Sequence, residues 1–121
     1  MHKGRMRCVL LLSIFAGVHS QSHDLEIGEL VRGDLMLFSI IEYKPAIPQS
    51  VTSSIIEYPA PGYTQFAVIQ AILILDLYSD GSGGYADILE GGIGYRFVKI
   101  KLKSQEGGSF NFSVSIFGRI Q

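Results

Sequence analysis

A chain of 121 residues, 47% of them hydrophobic, is long enough to bury one core and too short to build two independent ones. Its formal charge of −1 argues against sequence-independent nucleic-acid binding, which depends on clustered cations to neutralise phosphates. With one cysteine and three histidines, it also carries few of the side chains on which nucleophilic and metal chemistry depends.

The first element is a targeting segment. Lys3, Arg5 and Arg7 precede an apolar run from Cys8 to Val18, and small residues suited to cleavage follow. This is the pattern of a secretory leader, with cleavage expected after Ser20 and Ser22 as the second choice. The run is about half the roughly 20 residues that a bilayer-spanning helix requires, so no membrane span is expected after cleavage. Loss of residues 1–20 leaves seven Lys and Arg against eleven Asp and Glu, a balance of −4. Cys8, His2 and His19 leave with it, so no disulfide can form within the mature chain. His23 is then the last histidine, in a stretch expected to be mobile. Ser-His-Asp and Cys-His catalytic arrangements cannot be assembled within such a chain, and an enzyme is not expected. A carboxylate-pair hydrolase ranks last among the readings, because a domain of about 100 residues has little room for a walled cleft.

From Asp24 onward the apolar positions recur with period two, and Gly and Pro punctuate the runs. "LMLFSII" (35–41) and "VIQAILILDLY" (68–78) are apolar on both alternating faces, as in strands covered on both sides. Helix is the rival for the second; its β-branched residues and the glycines that follow favour strand. If one of those faces is uncovered, it is an association surface, and a homo-oligomer becomes an expectation to test. All four prolines fall between Lys44 and Gly62, around "SVTSSIIEY", which predicts a short strand at a sheet edge. "SIIEY" occurs at 39–43 and again at 54–58, a five-residue echo too short for a repeat architecture. In "YRFVKIKLK" (95–103) Val98, Ile100 and Leu102 alternate with lysines, and "FNFSVSIF" (110–117) alternates in the same way. The intervening "SQEGGS" has the composition of a hairpin turn, so these two strands are expected to pair antiparallel.

The glycine-rich stretch "DGSGGYADILEGGIGYRF" (80–97) invites three chemical readings. It lacks the Lys and Ser or Thr of a phosphate-binding GxxxxGK[ST] loop, and no GxGxxG precedes a helix. Asp76, Asp80, Gly81 and Asp87 match positions 1, 5, 6 and 12 of an EF-hand loop, a weak calcium candidate, because Tyr78 stands where a ligand is required. "GGIG" (91–94) is similar to one copy of a calcium-binding nonapeptide repeat, with no stack of copies to join. The favoured reading is conformational: both glycine clusters are turns joining strands of a meander. No cofactor is expected. Lys99, Lys101 and Lys103 line one strand face, either as contacts for an acidic protein or glycan or as a solvated face. "NFS" makes Asn111 an N-glycosylation sequon in a secreted chain.

The order of the blocks carries a family resemblance. "ILDLYSDGSGGYADILEGGIGYRFVKIKLKSQEGGSFNFSVSIFG" (74–118), together with "GELVRGDLM" (28–36), resembles the insect multiprotein bridging factor two family, often labelled probable salivary secreted peptides. The motif positions are Gly33, Asp34, Asp76, Asp80, Gly81, Gly83, Gly84, Tyr85, Gly91, Gly92 and Gly94. The resemblance implies no catalytic residues. It implies either a small secreted protein or a co-activator bridging a DNA-bound activator to the general transcription machinery, as the founding member is described.

The resulting expectation is an all-β antiparallel two-layer sandwich of seven to eight strands over residues 21–121, behind a cleaved leader at 1–20. The expected function is a secreted, non-enzymatic binding protein of insect saliva or body fluid, with a protein or glycan partner and no direct contact with nucleic acid. The alternative is the co-activator.

Overall fold

The computed structural model describes residues 23–120, so the leader lies outside the described residues. Seven strands and no helix occur among them: β1 (Leu25–Gly28), β2 (Leu35–Lys44), β3 (Ser53–Tyr58), β4 (Ala67–Asp76), β5 (Tyr85–Gly91), β6 (Val98–Lys103) and β7 (Phe110–Ile120). They form two antiparallel sheets, a four-stranded one in the order β1-β4-β7-β2 and a three-stranded one in the order β3-β6-β5. The strand reading of 68–78 is correct, and the prolines do leave β3 at an edge. β1 is too short to announce itself by alternation.

The alternating positions explain why two layers form. Phe110, Phe112, Val114 and Ile116 of β7 and Ile69, Ile72 and Ile74 of β4 meet Val98, Ile100 and Leu102 of β6 in one buried cluster. Burying two apolar sheet faces against each other removes both from water at roughly 25 cal/mol per Å². Tyr58 closes one side of that core against Phe38, and burial pushes its phenol pKa up.

Three expectations need correction. β6 and β7 are not a hairpin: β6 pairs with β3 and β5, whereas β7 pairs with β2 and β4. Their apolar faces look at each other across the core, an arrangement whose sequence alternation is identical to that of a hairpin. The 104–109 link is pinned by the main chain of the 50–52 loop, through Ser104 N to Thr52 O at 2.8 Å and Gly107 N to Ser50 O at 2.7 Å. The meander is real only for β5 and β6, since "DGSGG" carries the chain from one sheet to the other. Finally, β2 and β4 are covered on one side only, because no third layer exists among the described residues.

Candidate functional site

The crossover after β4 is built around one carboxylate. The Asp76 side chain is fully buried at the end of β4, and it accepts from Tyr78 N at 2.9 Å and from His23 N at 3.2 Å. His23 stacks on Tyr85 with ring centroids 4.7 Å apart, and its Nδ1 donates to Gly84 O at 2.7 Å. The stretch expected to be mobile is therefore docked at His23. Two glycines let the crossover lie this close. A Cβ on Gly83 would meet the Asp76 carboxylate, with Cγ at 2.6 Å, and one on Gly84 would strike the Lys103 carbonyl oxygen. Gln105 Nε2 then ties the loop down from the other side, donating to Gly81 O and Gly83 O at 2.8 Å each.

The three carboxylates of the calcium candidate are not brought together in this structure. Asp76 spends its oxygens on backbone donors, Asp80 sits in the exposed loop bonded to Ser82, and Asp87 lies on β5 in the other sheet. No cluster of three His, Cys, Asp or Glu side chains suited to a metal occurs among the described residues. The Ser82 hydroxyl, then its N–H, hold the Asp80 carboxyl below its usual pKa, a local turn effect at a fully exposed group. Asp76→Ala, which strands two partly buried donors, is expected to destabilise the fold by about 2 kcal/mol or more in urea denaturation. Asp76→Asn keeps an acceptor and should lose less.

The motif residues near the N-terminus play a similar part. Gly33, at φ +98°, turns the chain across the end of the first sheet, and the buried Asp34 accepts from Val31 N at 3.0 Å. Asp34 also grips Arg119 of β7, with Nε at 2.8 Å and Nη2 at 3.4 Å. Gly91, Gly92 and Gly94 form the β5–β6 turn, which packs on β4 through Gly94 N to Ile69 O and Ile69 N to Tyr95 O. The motif blocks are thus the joints of the sandwich.

The two outward faces differ in chemistry. On the three-stranded sheet, Lys99, Lys101 and Lys103 lie on the central strand, with Glu57, Asp87 and Glu90 opposite them on the flanking strands. Lys99 sits 3.4 Å from Glu57 and 4.0 Å from Glu90. The three lysines do share one face, where Lys99 and Lys101 have acidic neighbours, and Lys103 lies opposite Ser53 and Tyr85.

On the four-stranded sheet, the register sets Leu73 and Leu75 of β4 beside Ser115 and Ser113 of β7. Across β7 these serines face Ser39 and Ile41 of β2, with Met36 beside Phe117 and Tyr43 beside Asn111. Met36 is 58% exposed, Ile41 65% and Tyr43 55%, and Leu73, Leu75 and Phe117 are half-buried. A shallow, open hollow continues the face, where Leu30, Ala71, Leu73 and Phe117 surround one carboxylate, Glu26. A broad apolar face with small hydroxyl residues along its middle can bind by contact. Asn111 lies at one end of this face on a central strand, with its Oδ1 buried and lacking a hydrogen-bond partner. The sequence showed that β2 and β4 were apolar on both faces, but not that their outer faces lie side by side. That requires the β4-β7-β2 order, in which residues distant in sequence become neighbours.

Comparison with known proteins gives a consistent picture. The family model described as transcription activator MBF2 matches residues 27–118, from within β1 to within β7. A curated relative from Bombus ignitus, named "Probable salivary secreted peptide", is 31% identical over 100 residues, covering 83% of this chain and 72% of the relative. No solved structure matches the chain. With most of the described residues inside the family match, and a relative aligned across both sheets, the chain belongs to the MBF2 family.

Proposed function

We propose that this chain is a small secreted, non-enzymatic interaction protein that holds a macromolecular partner through the outer face of its four-stranded sheet. The observation that carries this reading is the contrast between the two outward faces. One interleaves Lys99, Lys101 and Lys103 with Glu57, Asp87, Glu90, Ile55 and Tyr85. The other sets Met36, Ile41, Tyr43, Leu73, Leu75 and Phe117 around serines with no charged side chain among them. Secretion is supported by the basic-then-apolar segment at residues 1–20 and by the name of the bumblebee relative. Because Asn111 stands on that same face, a glycan there would occupy it, and the contact reading requires the sequon to be bare.

The family's description favours a second reading, a transcriptional co-activator, which also acts by protein contact. Expression of the full chain in insect cells separates the two. The first reading expects the protein in the medium with its N-terminus at Gln21 or His23. Retention in nuclei with Met1 in place would give the function to the co-activator.

A further inference from the structure

We infer that the outer face of the four-stranded sheet is a dimerisation surface, and that its occupant is a second copy of this chain. The inference rests on the reading of that face as the contact surface and adds the identity of what covers it.

A two-fold pairing sets each side chain against a copy of its own neighbourhood, so the patch must be free of unbalanced like charge. The face meets this condition: Arg119 is already engaged by Asp34, and Glu26 lies on the edge strand β1, away from the middle. The opposite face does not, because a two-fold axis along its central strand would confront Lys101 and Lys103 with their own copies.

The arrangement across the face is also self-complementary. Ser113 and Ser115 run along β7, with leucines 73 and 75 on one flank and Ile41 and Met36 on the other. An axis along β7 exchanges the flanks, so Leu75 of one copy lies over Ile41 of the other, Leu73 over Ser39, and Met36 over Ala71. Along the axis Asn111, Ser113, Ser115 and Phe117 meet their own copies, and Ser39 Oγ stands 3.5 Å from Ser115 Oγ, so the hydroxyls can share hydrogen bonds. Small side chains at that position let the sheets approach to the ~10 Å spacing of stacked layers.

The exposed apolar part of the face comes from Met36, Ile41 and Tyr43, with Leu73, Leu75 and Phe117 half-buried beside them. A standard interface uses ~800 Å² per partner, and rim residues such as Leu30 and Leu77 extend the patch toward that size.

The test uses the full chain expressed in insect cells, purified from whichever fraction holds it and followed by sedimentation velocity from about 1 to 100 µM. A dimer is expected, with Ile41→Lys and Met36→Lys each weakening it by about tenfold or more. Both positions are more than half exposed, so the melting curves of these variants should stay close to that of the parent. Lys101→Glu should leave the dimer intact. A chain that is monomeric throughout, a dimer indifferent to both lysine variants, or an N-glycan found on Asn111 overturns the inference. So does a monomer that floats with phosphatidylcholine vesicles through Ile41, which would assign the face to lipid. A monomer whose Ile41 still contacts another protein removes only the second copy and leaves the contact reading standing.

Discussion

Gly84→Ala is expected to lower the free energy of unfolding by about 3 kcal/mol or more, a larger effect than most single substitutions produce. An added methyl would run into the backbone carbonyl of Lys103, with the Cβ of Phe110 at 3.2 Å behind it. Neither neighbour is the free end of a flexible side chain. Relief would require β6 and β7 to separate where the crossover passes, and those strands belong to opposite layers of one core. Gly108→Ala is the control, because its nearest neighbour lies at 3.4 Å, an ordinary contact. Urea denaturation of the two variants should separate them clearly, and equal midpoints would remove the close-approach explanation of the "DGSGG" block.

Phe112→Ala should cost about 3–5 kcal/mol, the range for emptying an aromatic site in a packed core. Phe112 is fully buried on β7, pairs in register with Asp76 of β4 and Glu42 of β2, and stacks obliquely on Phe110 at 5.7 Å. The lost side chain leaves a cavity between the sheets that rigid strands on both sides cannot collapse to fill. The same experiment on Tyr43, more than half exposed on the outer side of the same sheet, should cost far less. If the two variants melted alike, the assignment of inner and outer faces would be wrong.

Much of the fold could be read from the alternation of β6 and β7, because period two together with Lys and Ser on the wet side leaves one buried face per strand. Partnership could not be read. A strand whose apolar face looks across a core and one whose neighbour is hydrogen-bonded beside it have the same pattern, which is why 98–117 suggested a hairpin and formed two layers. The glycines of the 80–84 block were legible as turn residues, but the close approach of Gly83 to Asp76 was not, since it depends on where β4 ends in space. His23 failed for a related reason: its partners, Gly84 and Asp76, are more than fifty residues away in sequence. The candidate face was half visible. The double-sided apolar character of β2 and β4 marked a surface in need of cover, and only the strand order shows that the two contribute to the same one.

The most direct test of that surface is photo-cross-linking in native saliva or haemolymph. A photoreactive amino acid is placed at Ile41 in one preparation and at Lys101, on the opposite face, in another. Cross-links that form from position 41, and are weak or absent from position 101, are the expected result. Cross-links from position 101 with none from position 41 would contradict the account, because they would assign the contact to the charged face and leave the apolar one without a partner.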